Sequence, residues 1–130
     1  MILLDTHVMA WLAFDPARIS NRAKAAIDQA RRAAEGVAIC DISLLELTAL
    51  VSKGRIRLNV TLESFLREIE SRFVVLPIGA RECARSLQLP RRYPNDPADR
   101  IIGATSLVQG LPLVTADRAI RRSRAVHTVW

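Results

Sequence analysis

With 130 residues, half of them apolar and a quarter charged, the chain has the composition of one globular domain without a linker, well away from that of disordered chains. The net charge of +6 arises from 19 basic residues, 17 of them Arg, against 13 acidic ones; guanidinium matches phosphate oxygens, so a polyanionic partner is compatible. An aromatic content of 5% leaves little material for base-stacking platforms, and no run of about 18 apolar residues is present to cross a membrane.

In chain order, Met1 to Leu4 is a short apolar run ending at Asp5 and reads as a buried strand. His7 to Phe14 has apolar residues at helical spacing, and Asp15-Pro16 stops it because the residue before proline is driven out of the α region. Ser20 caps a helix over 21–34, and Val37 to Cys40 is a second strand. Ser43 is a plausible cap for a mostly apolar helix running toward Gly54, with Glu46 as its one acidic residue. Thr61 caps a helix over 62–72, and Phe73 to Leu76 is a third strand. Helix 80–87 leads into an exposed connection punctuated by Pro90, Pro94 and Pro97 that carries Arg91, Arg92 and Tyr93. Asp96 and Pro97 start a helix over 98–108, closed by Gly110. Leu111 to Val114 is a fourth strand, Asp117 opens a short helix, and Val126 to Trp130 is a fifth strand.

Short apolar strands alternating with helices predict an α/β fold, one domain over residues 1–130, with a parallel sheet of four to five strands flanked by helices. In such sheets ligands bind outside the carboxyl ends of the strands. Asp5 ends the first strand, Glu46 lies in the first turn of the helix after the second, Asp117 follows the fourth, and Asp99 opens the helix before it. All four map to one sheet edge. Carboxylates gathered there repel one another, which a hard dication relieves, and oxygen ligands select Mg²⁺ or Mn²⁺. Two such ions activate water for attack on a phosphodiester without a protein nucleophile. Asp96, directly before Pro97, reads as a helix cap. Arg118, Arg121, Arg122 and Arg124 crowd the segment after Asp117, near enough to the acids to meet the phosphates of a polyanion, and Arg100 either pairs with a carboxylate or guides substrate. Cys40 and Cys83 lack metal-site spacing and sit among apolar neighbours, so both are expected as buried, reduced thiols. With no leader-like pattern at the N-terminus, the expected compartment is the cytoplasm.

The segments Leu3-Leu4-Asp5-Thr6-His7, Ser43-Leu44-Leu45-Glu46, Asp96-Pro97-Ala98-Asp99-Arg100-Ile101-Ile102 and Leu111-Pro112-Leu113-Val114-Thr115-Ala116-Asp117 resemble, in order and spacing, the PIN-domain ribonucleases. The likeness is greatest to the VapC-type toxins of toxin–antitoxin pairs, which share the basic C-terminal stretch and final Trp. The resemblance implies a three-layer PIN-like fold, Mg²⁺- or Mn²⁺-dependent endoribonuclease activity on RNA, a homodimer, and inhibition by a cognate antitoxin. It assigns Asp5, Glu46, Asp99 and Asp117 to the acidic catalytic and metal-binding positions. Thr6 and Thr115 match hydroxyls beside that site, Asp96 leaves open which aspartate of the pair reaches metal, and Arg100, Arg118, Arg121 and Arg122 are the RNA-contact candidates. His7 falls at a variable position and reads as an ordinary packed or exposed histidine. A haloacid-dehalogenase-type phosphatase would need a second aspartate where His7 stands, and no P-loop is present. The remaining alternative is a non-catalytic RNA- or partner-binding module of the same fold.

Overall fold

Strands β1 (Ile2–Leu4) and β2 (Val37–Cys40) are buried along their whole length, as expected where helices cover both faces of a parallel sheet. A computed structural model describes all 130 residues. Around these strands it arranges α1 (Thr6–Phe14), α2 (Asn21–Arg32), α3 (Ile42–Ser52), α4 (Leu62–Arg72), β3 (Val74–Leu76), α5 (Ala80–Ser86), α6 (Pro97–Gln109), β4 (Leu113–Val114), α7 (Arg118–Ser123) and β5 (Thr128–Val129). A single 3-10 turn follows α1 at Pro16–Arg18. The five strands are parallel in the order β3-β2-β1-β4-β5.

Successive side chains of a strand point to opposite faces, so each strand feeds two cores. Ile2, Leu4, Val37, Ile39 and Val114 face one side, with Val8, Met9, Ile27, Leu47, Phe65 and Ile69 from α1 to α4. Leu3, Ala38, Cys40 and Leu113 face the other, with Tyr93, Ile102 and Ile120. This is the helix–sheet–helix sandwich anticipated from the sequence. No helix is long and apolar enough to cross a membrane.

Strand order reverses beside β1: β2 and β3 run outward on one side, β4 and β5 on the other. The crevice between the carboxyl ends of β1 and β4 is therefore the topological switch point where ligands bind such sheets. Leu3 pairs with Leu113 and Leu4 with Val114, so Asp5 stands level with Thr115.

β1 and β3 start one residue later than expected, while β4 and β5 are shortened by more. Leu111 bonds to the end of α6 instead of the sheet, its N–H donating to the Ser106 carbonyl at 3.0 Å while the Ser106 hydroxyl donates back to the Leu111 carbonyl at 2.6 Å. Gly110, with φ of 65°, makes the left-handed turn that this cap requires. At the edge of the sheet, β5 spans Thr128–Val129 and no more.

Candidate active site

Asp5 is 3% exposed and sits in extended backbone before α1, where one oxygen accepts the Thr6 N–H at 2.8 Å. Its other oxygen accepts the Thr115 hydroxyl at 2.8 Å across 110 residues of sequence. That hydroxyl in turn accepts the Asp117 N–H at 3.1 Å. One threonine thus joins the two acidic loops at the switch point. Asp117 caps α7, accepting the Ile120 N–H at 3.0 Å.

The Thr6 side chain turns the opposite way. Its hydroxyl donates to Glu46 Oε1 and lies 2.8 Å from the Ser43 hydroxyl; a hydroxyl has one proton, so Ser43 is the donor to Thr6. The sequence marks Ser43 as a helix cap. It is instead a buried member of the site, three residues before Glu46 and so on the same helix face, and the cap position belongs to Asp41, which makes no side-chain cap bond. That one-turn spacing is the signal that could have found it. Because α3 starts at Ile42, Glu46 lies just past the first turn, half-buried, while Leu45 beside it is exposed.

Asp96 caps α6 by accepting the Asp99 N–H at 3.1 Å, as its place before Pro97 predicts. Asp99 enters the hydrogen-bond network only through its backbone: its N–H meets Asp96 and its carbonyl accepts the Tyr93 hydroxyl at 3.0 Å. Burial, then repulsion from Asp5, Asp96, Glu46 and Asp117, pushes the Asp99 carboxyl up to about 7. Burial likewise raises Glu46, with the Thr6 hydroxyl opposing the shift and Asp5 and Asp96 adding to it. Burial, helped by Asp5, Asp99 and Asp117, pushes the Tyr93 phenol well above its usual range. These acids therefore share one electrostatic neighbourhood, and no Lys or Arg of the chain pairs with any of them. As they stand, no three carboxylate, imidazole or thiol side chains are close enough to share one ion.

A sequence profile of the PIN domain matches residues 2–125. The chain belongs to the PIN-domain family. Ribonuclease VapC22 of Mycobacterium tuberculosis is 37% identical to this PIN domain over 131 residues, spanning 99% of this chain and 98% of the relative. Among solved structures, VapBC2 from Rickettsia felis bound to a DNA fragment from their promoter superposes with a TM-score of 0.71 at 20% identity, over 98% of this chain and 97% of that one. A toxin-antitoxin complex from Klebsiella pneumoniae is 26% identical, with a TM-score of 0.59 over 90% of this chain and 87% of that one.

Two expectations about the PIN domain's side chains are corrected. Arg100 neither pairs with a carboxylate nor stands free for substrate: it donates to the carbonyls of Ser86, Leu89, Tyr93 and Pro94 at 2.8–3.3 Å. Its fork holds the connection between α5 and α6, whose carbonyls lack a regular partner. Cys40 is buried as expected, but Cys83 is exposed; on α5 the buried position is its neighbour Glu82, whose carboxylate accepts the Gly79 N–H at 3.0 Å. Arg118, Arg121, Arg122 and Arg124, all exposed, line an open depression of about 440 Å³ with no other residue in its wall. A separate apolar groove of about 510 Å³ lies between the end of α1, the 57–60 segment and α4, and includes the exposed Phe14 and Val60.

Proposed function

We propose that this PIN domain is a divalent-metal-dependent endoribonuclease, the toxin of a toxin–antitoxin pair, acting on RNA phosphodiester bonds in the cytoplasm. The observation that carries the reading is the placement of Asp5, Glu46, Asp99 and Asp117, buried or partly buried around the carboxyl ends of β1 and β4 with no Lys or Arg paired to any of them; burial and that mutual repulsion push Asp99 up to about 7. A site of oxygen donors under such mutual repulsion fits a hard dication, Mg²⁺ or Mn²⁺, which would draw Asp5, Glu46, Asp99 and Asp117 inward, since in the metal-free arrangement no three of them are close enough to share one ion. When bound, the metal supplies an activated water and neutralises charge on the cleaved phosphate. The protein's own groups orient the donors: Thr115 links Asp5 to the Asp117 loop, Thr6 and Ser43 aim Glu46, and Asp96 fixes the first turn that presents Asp99. Arg118, Arg121 and Arg122, joined by Arg124, grip RNA phosphates independently of sequence.

The partners follow from the relatives. The Klebsiella pneumoniae relative is a toxin-antitoxin complex, which supports a cognate antitoxin for this chain, and a homodimer is the assembly we propose for the toxin. Incubating the purified protein with total RNA, with Mg²⁺ or Mn²⁺ and with EDTA, and mapping fragment ends, tests the activity. Metal-dependent cleavage is expected, reduced about 10²–10³-fold in Asp5→Asn and Asp99→Asn, the scale of removing one preorganised electrostatic group. RNA bound but left intact under every metal condition would establish the non-catalytic alternative instead.

A further inference from the structure

His7 follows the acidic loop of β1, yet its side chain reaches the loop of β4. The Ala116 N–H donates to His7 Nε2 at 3.0 Å, across 109 residues of sequence. A ring nitrogen that accepts a hydrogen bond carries no proton, so the proton of the neutral ring is on Nδ1. Nδ1 lies 3.6 Å from Asp5 Oδ2, the oxygen that also accepts the Thr115 hydroxyl. The ring is braced edge-on by Trp11, with centroids 4.9 Å apart. Trp11 in turn packs near Trp130, with ring centroids 5.9 Å apart, and has the Arg18 guanidinium over its ring, 4.1 Å from the ring centre.

We infer that His7 is a positioning residue that sets the spacing of Asp5 and Asp117, by tying the Ala116 amide to the start of α1. The inference rests on the nuclease reading for its consequence in catalysis. The Thr115 backbone is paired to Val129 of β5, and its hydroxyl is one side-chain link from the β4 loop to the β1 loop; His7 adds a second such link one residue away, directly before Asp117. The same geometry removes His7 as a general base, because the lone pair such a base would use is occupied by Ala116.

The imidazole ¹⁵N shifts of the metal-free protein at neutral pH give the first test: a protonated Nδ1 and an unprotonated Nε2 are expected, and a proton on Nε2 overturns the inference. Variants give the second. Glutamine places an amide oxygen near the position of Nε2, whereas asparagine is too short to reach Ala116. His7→Gln should therefore keep slow exchange of the Ala116 amide and the wild-type affinity for Mn²⁺. His7→Ala and His7→Asn should lose both, with Mn²⁺ affinity falling about 10-fold or more, the scale seen when groups that orient metal ligands are removed. In cleavage assays at saturating Mn²⁺, His7→Gln should retain the wild-type pH–rate profile. A His7→Gln variant as impaired as His7→Ala, or one that loses a limb of that profile, overturns positioning in favour of proton transfer by the ring. If the wild-type chain cleaves no RNA, the nuclease reading fails, while the ring tautomer and the Ala116 amide still decide the role of His7.

Discussion

At the scale of single residues, the half-buried carboxyl of Asp99 links site chemistry to stability. Below about pH 4 both the folded and the unfolded chain hold its proton. Between its ordinary value of 3.8 and the folded value of about 7, the unfolded chain has released the proton and the folded chain has kept it. Stability therefore falls as pH rises through that window, and the deficit is complete above it. Asp99→Asn cannot ionise and gives up no side-chain hydrogen bond. In EDTA at pH 8 its Tm should exceed that of the wild type by about 3 °C, a modest shift because the group is partly solvated. The difference should vanish near pH 4. Adding Mn²⁺ should raise the wild-type Tm but not that of the variant, and scanning calorimetry checks all three points. The candidate acids were legible in the sequence because each lies just after a strand or near the start of a helix, places that topology sends to one edge. Ser43 and His7 were not, since a hydroxyl read as a cap and a lone histidine show their partners only across the packed fold.

At the scale of elements, the first turn of α6 must be held rigidly if Asp99 is to face the other acids. Three features hold it. Tyr93, 1% exposed, donates to the Asp99 carbonyl. Gly103, one turn further along α6, leaves room for that phenol: a Cβ there would lie 2.4 Å from the Tyr93 hydroxyl. Arg100 then fastens the preceding connection through its four carbonyls. Arg100→Lys keeps the charge but loses the planar fork, and should destabilise the domain by about 1–3 kcal/mol in urea unfolding, the cost of unmade hydrogen bonds to a charged group. Proteolysis should open the 87–95 segment first, while the salt dependence of RNA binding stays unchanged. A flatter salt dependence would return Arg100 to the RNA surface. The element order and most boundaries followed from apolar runs and caps, as with α4 at Leu62–Arg72. The role of Arg100 did not, because a positive charge beside an aspartate reads as an ion pair or a substrate contact until the carbonyls around it are placed.

At the scale of the whole molecule, an acidic centre is set in a body of net charge +6, with four arginines collected on and just after α7. None of their side chains is engaged in an ion pair, so their field is available to a polyanion. Arg121→Ala combined with Arg122→Ala should weaken RNA binding in EDTA at every sequence. It should also reduce the slope of log affinity against log salt by about 1.4, or about 0.7 for each single-strand phosphate that is no longer neutralised. An unchanged slope in fluorescence anisotropy would remove these residues from the RNA surface.

By itself the sequence determined the alternation of strands and helices, the parallel sheet, and the edge on which the acids lie, because apolar periodicity and helix caps are local and the connection rules of α/β sheets do the rest. Only the tertiary structure decided the partners. The Thr115 bridge between two loops, the His7 bond to Ala116, the outward turn of Cys83 and the enclosure of Arg100 depend on how helices seat on the sheet. That seating is driven by burial of two apolar cores, which presses like-charged carboxylates together at a separation no local pattern encodes.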